Sequence, residues 1–349
     1  MSNQQQLSSE ALVEPKSEKK KVFLTILRLA ISFGALFLIF YAFRSKLVDV
    51  WAILLETRWE LFALAYAFYI LSIAVINYRL KIVMTVNNMY IKFKPVFFLG
   101  MIGLFFNNIL PSAVGGDAVK GYYLYKKTGR KLETFSTIFV DRIIGLFTLI
   151  GLAFFAVLLF RSEAIDPRIK SVIYVLFSGG CCLVLFFCSR RIARLFKFVW
   201  HMIPSQKHKE KLREVYHSIY QYKQHPKTVI YSLVLSIFSQ SLFIVMNYFL
   251  ALSLGVSAPL GLFFVIMPII SSVSMAPSLN GLGVREGAYV YLFSQFFSSE
   301  KAFALSLLFF FVLLSFSLVG GLIYLFSKSI RTPHESIKDE LKHVREEVE

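Results

Sequence analysis

Six stretches of this chain, residues 22–43, 61–77, 137–160, 171–188, 229–252 and 303–326, are apolar and almost free of charge. Crossing the hydrocarbon of a bilayer takes about 20 such residues. Inside hydrocarbon every backbone N–H and C=O must be satisfied by the chain itself, so segments of this kind are confined to helices or closed barrels. Runs this long, lacking the alternation of a barrel strand, read as helices. The expected fold is an all-α polytopic membrane protein with about six full spans. The rest of the composition agrees: 56% of the 349 residues are hydrophobic and 17% are charged. The polar, mixed-charge start over residues 1–21 is not the n-region of a cleaved signal, and the apolar run after it reads as a retained first helix.

The formal net charge is +17. In a soluble protein that would suggest nucleic acid. Here the charge sits between the apolar runs and reads as topology, so no nucleic-acid partner is expected. With residues 1–21 placed in the cytoplasm, the loops 79–94, 126–131, 190–227 and 328–345 fall on the same side. Together with the N-tail they hold 27 of the 38 Lys and Arg. The opposite side holds seven, and Arg28, Lys120, Arg142 and Arg285 lie within or at the edge of apolar segments. Both termini are therefore expected on the cytoplasmic face of the cytoplasmic (inner) membrane. Cys181, Cys182 and Cys188 share one apolar run and suggest neither a disulfide framework nor a metal site. No HExxH, paired Cys/His spacing or P-loop order occurs, so no metal, cofactor or nucleotide chemistry is expected.

Two further apolar segments are interrupted. Residues 96–110 are short for a span and end at Pro111-Ser-Ala-Val-Gly115-Gly116-Asp117. A second segment breaks at Pro277-Ser-Leu-Asn280-Gly281-Leu-Gly283. At a constant offset of 166, residues 111–125 and 277–291 share Pro, Ser, two Gly and two Tyr, and Phe97, Phe98 and Met101 match Phe263, Phe264 and Met267. Loop charge puts the first segment's flanks inside and the second's outside. The two read as re-entrant broken hairpins in an inverted repeat, a pattern of secondary transporters. The chain then divides into a cytoplasmic N-tail (1–21), a first membrane repeat (22–188, hairpin at 96–125) and a basic cytoplasmic amphipathic linker (189–227). A second repeat region (228–328, hairpin at 259–297) and a cytoplasmic C-terminal helix (329–349) complete it.

Ionisable groups at membrane depth are costly and mark function by default. Asp117 and Lys120 follow the first break, Arg285 and Glu286 follow the second, and Asp141 and Arg142 lie several residues into the next span. One reading is purely structural: the groups pair off and fix helix register. In the other, the half-helices beginning near Gly116–Asp117 and Gly283 present free N–H groups to a ligand, with Lys120, Arg142 and Arg285 nearby. That combination suits a phosphate. Asp117, Asp141 and Glu286 would hold a cationic headgroup or take up protons. Asn107, Asn108 and Asn280 would bind ligand or satisfy backbone freed at the breaks.

Asn108-Ile-Leu-Pro-Ser-Ala-Val-Gly-Gly-Asp, Lys120-Gly-Tyr-Tyr and Val140-Asp-Arg-Ile-Ile-Gly145, followed by Ala276-Pro-Ser-Leu-Asn-Gly-Leu-Gly-Val-Arg-Glu286-Gly, resemble two signatures of a known family. It is the transmembrane region of lysylphosphatidylglycerol synthase, the flippase-like half of the multiple peptide resistance factor. The resemblance covers roughly residues 20–330. It implies translocation of an anionic or aminoacylated phospholipid, or of another phosphate-bearing lipid such as a polyprenyl phosphate. The soluble synthase domain is not expected in the short stretch after the last run, so a transporter is expected rather than a lysyltransferase. The alternatives are a membrane-embedded headgroup transferase and a membrane anchor for a separate lipid-modifying enzyme.

Overall fold

The computed structural model describes residues 16–110, 115–160, 167–188, 220–275, 278 and 280–327. The expected N-tail over residues 1–15, the break residues Pro111 and Pro277, residues 189–219 of the linker and the C-terminal helix over 329–349 lie outside them. Eleven α-helices carry the described residues, and no strand occurs among them: α1 (Lys16–Phe43), α2 (Leu47–Leu55), α3 (Trp59–Met84), α4 (Phe93–Ile109), α5 (Gly115–Thr128), α6 (Lys131–Phe160), α7 (Pro167–Cys188), α8 (Pro226–Ser253), α9 (Leu260–Val273), α10 (Val284–Phe293) and α11 (Ser299–Phe326).

Four of these, α3, α6, α8 and α11, are long and apolar enough to cross a membrane. Helices α1 and α2, bent by 91° where they meet, make a fifth if the pair is one span. The sixth expected run lies on α7 (22 residues), which is not among those four helices or the bent pair. Large apolar side chains face outward along the spans, including Val234, Ile237 and Phe238 on α8 and Phe311, Leu318 and Leu322 on α11. Lipid is the solvent that makes this much continuous apolar surface stable. The protein is a multi-pass, all-helical membrane protein.

Both interrupted segments fold as helix, break, helix. Asn107 on α4 meets Gly116 on α5, and Gly103 meets Lys120, so α4 and α5 run antiparallel. In the second pair Ser274 lies against Gly281 and the Phe263 and Phe293 rings meet with centroids 5.1 Å apart, so α9 and α10 also run antiparallel. Helix α4 has 17 residues and α9 has 14, about 26 and 21 Å, each short of the roughly 30 Å of hydrocarbon.

Shifting the ranges of α3, α4, α5 and α6 by 166 residues lands within three residues of both ends of α8, α9, α10 and α11. The packing partners correspond as well: α3–α4, α4–α5, α5–α6 and α4–α11 contacts recur as α8–α9, α9–α10, α10–α11 and α9–α6. The matching pair α3 and α8 pack directly on each other and antiparallel. Ser72 Oγ donates to the Ser239 carbonyl at 2.9 Å, and Arg79 Nη1 donates to Ser236 Oγ at 2.7 Å one to two turns away.

Small residues set the closest approaches, as expected where lipid supplies no hydrophobic drive between helices. A Cβ at Gly320 of α11 would overlap the Met101 carbonyl of α4, and one at Gly100 would overlap the Asn77 side chain of α3. Phe263, Phe293, Phe303, Ile244 and Met246 lie at the centre of the largest apolar core.

Candidate functional site

Helix α3 continues past Asn77 to Met84, carrying Arg79 into the interior rather than into the loop expected over 79–94. Removing Arg79 from the inside count leaves the charge bias intact. Its Nε donates to Asp141 Oδ1 at 2.8 Å, and its Nη2 donates to Oδ2 at 2.9 Å and to the Asp141 carbonyl at 3.1 Å. With Ser236 as a fourth acceptor, the guanidinium ties α3, α6 and α8 together. Gly145, one turn beyond Asp141, makes room: a Cβ there would stand 3.3 Å from both terminal nitrogens.

A buried polar seam continues along α6 and past the end of α3. Asn87 Nδ2 donates to Thr137 Oγ1 at 2.8 Å and to the Tyr222 hydroxyl at 3.1 Å, and that hydroxyl reaches Thr137 and the Val83 carbonyl at 3.1 and 3.3 Å. Thr137 and Asp141 are one turn apart on α6, as are Arg79 and Val83 on α3. Tyr222 arrives from a 3-10 turn at the end of the linker. Burial pushes its hydroxyl pKa up, so it stays a neutral donor.

Arg142 points from α6 toward the first hairpin. Its Nη1 donates to Asp117 Oδ2, while Lys120 Nζ donates to Asp117 Oδ1 at 3.1 Å. The Lys120 stem crosses α4 at Gly103, where a Cβ would overlap its Cε. The amide of Gly116 donates to Asn107 Oδ1 at 2.8 Å. One of the N–H groups at the start of α5 therefore has a partner within the protein.

At the second hairpin Gly283 adopts φ 80°, and a Cβ there would press on Ala35, Ser32 and Leu36 of α1. Helix α1 covers this break. Glu286 Oε2 accepts from the Gly283 amide at 2.6 Å, and Oε1 accepts from Arg285 Nη2 at 2.5 Å and Nε at 3.1 Å. The Arg285 guanidinium also lies over the Phe309 and Phe310 rings of α11. Below it the Tyr289 hydroxyl donates to Asn247 Oδ1 at 2.5 Å, with both residues fully buried. The two breaks touch: Asn280, at φ 47°, donates through Nδ2 to Asn108 Oδ1.

The eight polar residues expected at the site thus fall into three ionic clusters and one amide bridge. Asp117, Lys120 and Arg142 form the first cluster, Asp141 joins Arg79 in the second, and Arg285 joins Glu286 in the third. Asn108 and Asn280 form the bridge. Gly115, Gly116, Gly281 and Gly283 all sit at the breaks. Arg79, the Asn87–Thr137–Tyr222 seam and the Tyr289–Asn247 pair escaped sequence reasoning. A signal existed for the first: apolar residues continue at Leu80, Val83 and Met84 beyond Arg79, and Ser232, Ser236 and Ser239 place a stripe of small polar residues on the facing helix.

The clusters differ in openness. Side-chain exposure is 4% and 15% for Arg79 and Asp141, and 6% and 3% for Arg285 and Glu286. Lys120, Asp117 and Arg142 stand at 17%, 18% and 29%. Arg79 with Asp141 and Arg285 with Glu286 are one-to-one pairs, whereas Lys120 and Arg142 share the Asp117 carboxylate. Among the described residues no group of three or more His, Cys, Asp or Glu could hold a metal ion.

The model of the family described as the lysylphosphatidylglycerol synthase transmembrane region matches residues 25–321. A UPF0104 membrane protein of Methanocaldococcus jannaschii is 33% identical over 150 residues, 41% of this chain and 44% of that protein. The chain is thus matched over less than half the length of that relative. No solved structure matches. With the family model spanning both hairpins and all three ionic clusters, the chain belongs to the family of the lysylphosphatidylglycerol synthase transmembrane region.

Proposed function

We propose that this protein is a lipid transporter that moves a phosphate-bearing lipid, an anionic or aminoacylated phospholipid or a polyprenyl phosphate, across the cytoplasmic membrane. The observation that carries the reading is the meeting of the two broken helices. Asn108 bridges to Asn280 beside a cluster in which Lys120 and Arg142 share Asp117 and stay partly exposed. Broken helices are tolerated at membrane depth where they line a cavity or are buried in protein. Two of them in contact, one flanked by Lys120 and Arg142, suit a lipid headgroup. The 166-residue correspondence of α3–α6 with α8–α11, and the antiparallel packing of α3 on α8, support an inverted repeat that rocks about this contact. Loop charge supports both termini in the cytoplasm. In this reading the protein is a carrier rather than a transferase.

The test is reconstitution of the purified protein into vesicles carrying fluorescent phosphatidylglycerol, its lysyl derivative, a neutral phosphatidylcholine probe or a fluorescent polyprenyl phosphate. Transbilayer movement is read by external quenching. Movement of a phosphate-bearing lipid above protein-free vesicles, lost in Arg142→Ala, is the expected result. Equal rates with and without protein for every probe would sink the transport reading.

A further inference from the structure

The two ends of the α3–α8 pair are closed in different ways. At one end α3 stops, α8 starts, and Asn87, Thr137 and Tyr222 form the buried seam. The Tyr222 hydroxyl accepts from Asn87 Nδ2, and its single proton is shared between Thr137 Oγ1 and the Val83 carbonyl. All three side chains are neutral. At the rim the exposed Arg130 donates through Nη1 to the Asn87 carbonyl at 3.0 Å, so the seam begins at an exposed edge. At the opposite end α8 stops beside the start of α3, where the Arg58 amide donates to the Ser253 carbonyl at 2.9 Å. Under the 166-residue correspondence Ser253 matches Asn87, and Phe303 matches Thr137. Ser253 spends its hydroxyl within α8, on the Leu250 carbonyl. Phe303 packs on Phe43 with ring centroids 4.7 Å apart. Side-chain hydrogen bonds close one end, and aromatic packing closes the other.

We infer that the Tyr222 hydroxyl is the catch of a gate at the seam end: it holds the turn before α8 against α3 and α6, and exchange of its bonds for bonds to water opens a path toward the Arg79–Asp141 pair. This rests on the transport reading above, since a carrier of inverted repeats opens at one end and then at the other. Energetics select the end. Replacing a hydrogen bond within the protein by one to water changes the free energy little, because folding made the reverse exchange. Parting Phe303 from Phe43 in water exposes two large apolar rings and gains nothing in return. The seam end is therefore the one that opens to water at the smaller cost. The path is short. Thr137 lies one turn before Asp141 on α6, and Val83 one turn after Arg79 on α3. Val83, Val140 and Ile144 pack in one cluster with Tyr222 and would be wetted as it withdraws. Because one hydroxyl meets Asn87, Thr137 and the Val83 carbonyl together, its removal loosens all three contacts without adding charge or changing the ring. Loop charge supports a cytoplasmic position for this end.

The experiment measures thiol labelling of the full chain in neutral detergent, with Cys181, Cys182 and Cys188 replaced by alanine. One reporter cysteine is placed in the seam cluster (Val140→Cys) or at the opposite end of α8 (Ser253→Cys), both at buried positions. Sulfonatoethyl methanethiosulfonate is the water-borne probe, and intact-protein mass spectrometry reads the labelling rate. Where opening and closing are fast, that rate follows the population of the open form. Adding Tyr222→Phe should speed labelling at Val140→Cys about tenfold, the equivalent of about 1.4 kcal/mol in the opening equilibrium. Labelling at Ser253→Cys should stay within about twofold. An unchanged rate at Val140→Cys overturns the gate. An equal rise at both reporters also overturns it, because the hydroxyl then supports the whole fold rather than one end. If Tyr222→Phe does not yield monodisperse protein, Thr137→Val, which removes a partner of the same hydroxyl, decides by the same two readings. A rise confined to Val140→Cys in a protein that moves no lipid in vesicles keeps the gate and loses the transport function. Lipid movement with unchanged labelling keeps the transport function and loses the gate.

Discussion

Replacing Asp141 with alanine tests whether Arg79 is held as the structure shows. Arg79 is 4% exposed and has four acceptor contacts: both Asp141 carboxylate oxygens, the Asp141 main-chain carbonyl and Ser236 Oγ. Breaking a buried ion pair from one side costs about 3–5 kcal/mol, because the remaining charge is left uncompensated. Alanine removes the two carboxylate bonds but leaves the backbone carbonyl and Ser236, so the expected loss sits at the low end, about 3 kcal/mol. Arg79→Met leaves a carboxylate at 15% exposure and should cost less, about 1–3 kcal/mol. The double variant Arg79→Met/Asp141→Leu removes both charges and fills the space. It should return to within about 1 kcal/mol of the native protein, since a buried pair can be exchanged for apolar residues at little cost. Equilibrium unfolding in mixed micelles, followed by intrinsic fluorescence, gives the four corners of the cycle. If Asp141→Ala is as stable as the native protein, or if the double variant is as unstable as the two singles combined, the Arg79–Asp141 pair does not join α3 to α6.

Gly116→Ala places a Cβ against the Gly103 carbonyl and the Asn107 carboxamide. A backbone clash has no rotamer to relieve it, so loss of monodisperse protein on size exclusion is expected. Gly34→Ala on α1 meets nothing within 4 Å and should stabilise slightly, by up to about 1 kcal/mol in the same unfolding assay. Tyr289→Phe leaves Asn247 Oδ1 buried without its donor and should cost about 1–3 kcal/mol while membrane insertion proceeds normally. Arg285→Ala frees Glu286 from both its guanidinium bonds and empties the space over Phe309; vesicle transport should fall to the protein-free rate although the variant still inserts.

The all-helical, membrane-crossing character and the antiparallel helix pairs at the two interruptions were legible because each is a local property of the chain. Apolar length marks a helix, and Pro with Gly marks where it stops. The pairing of charges was not legible, and the reason is geometric. Asp141 and Arg142 are adjacent in sequence, but on a helix successive residues point about 100° apart. Asp141 therefore reaches α3 and Arg142 reaches α5, with partners 62 and 25 residues away. Nothing in the local sequence says which of two neighbouring charges will face which helix. Arg79 was further hidden because a hydropathy reading ends a span at its first charge, whereas a buried guanidinium needs only enough acceptors to remain inside.

Once these partners are assigned, residues that look interchangeable in sequence acquire different roles. Arg79 with Asp141 binds α6 to the α3–α8 pair, and Arg285 with Glu286 caps the second break under the cover of α1. Both pairs are largely closed to the surroundings. The more exposed cluster lies at the first hairpin, joined to the second by Asn108 and Asn280. In the transport reading, a headgroup that pulls Arg142 away from Asp117 would act on the start of α5, which Asn107 ties to α4, and, through the Asn108–Asn280 bridge, on the turn before α10. Asn280→Ala should cut this connection, leaving headgroup binding at the Asp117 cluster near its native strength while transport slows. Equal loss of binding and transport in that variant would mean that the two hairpins form one rigid site rather than two coupled ones.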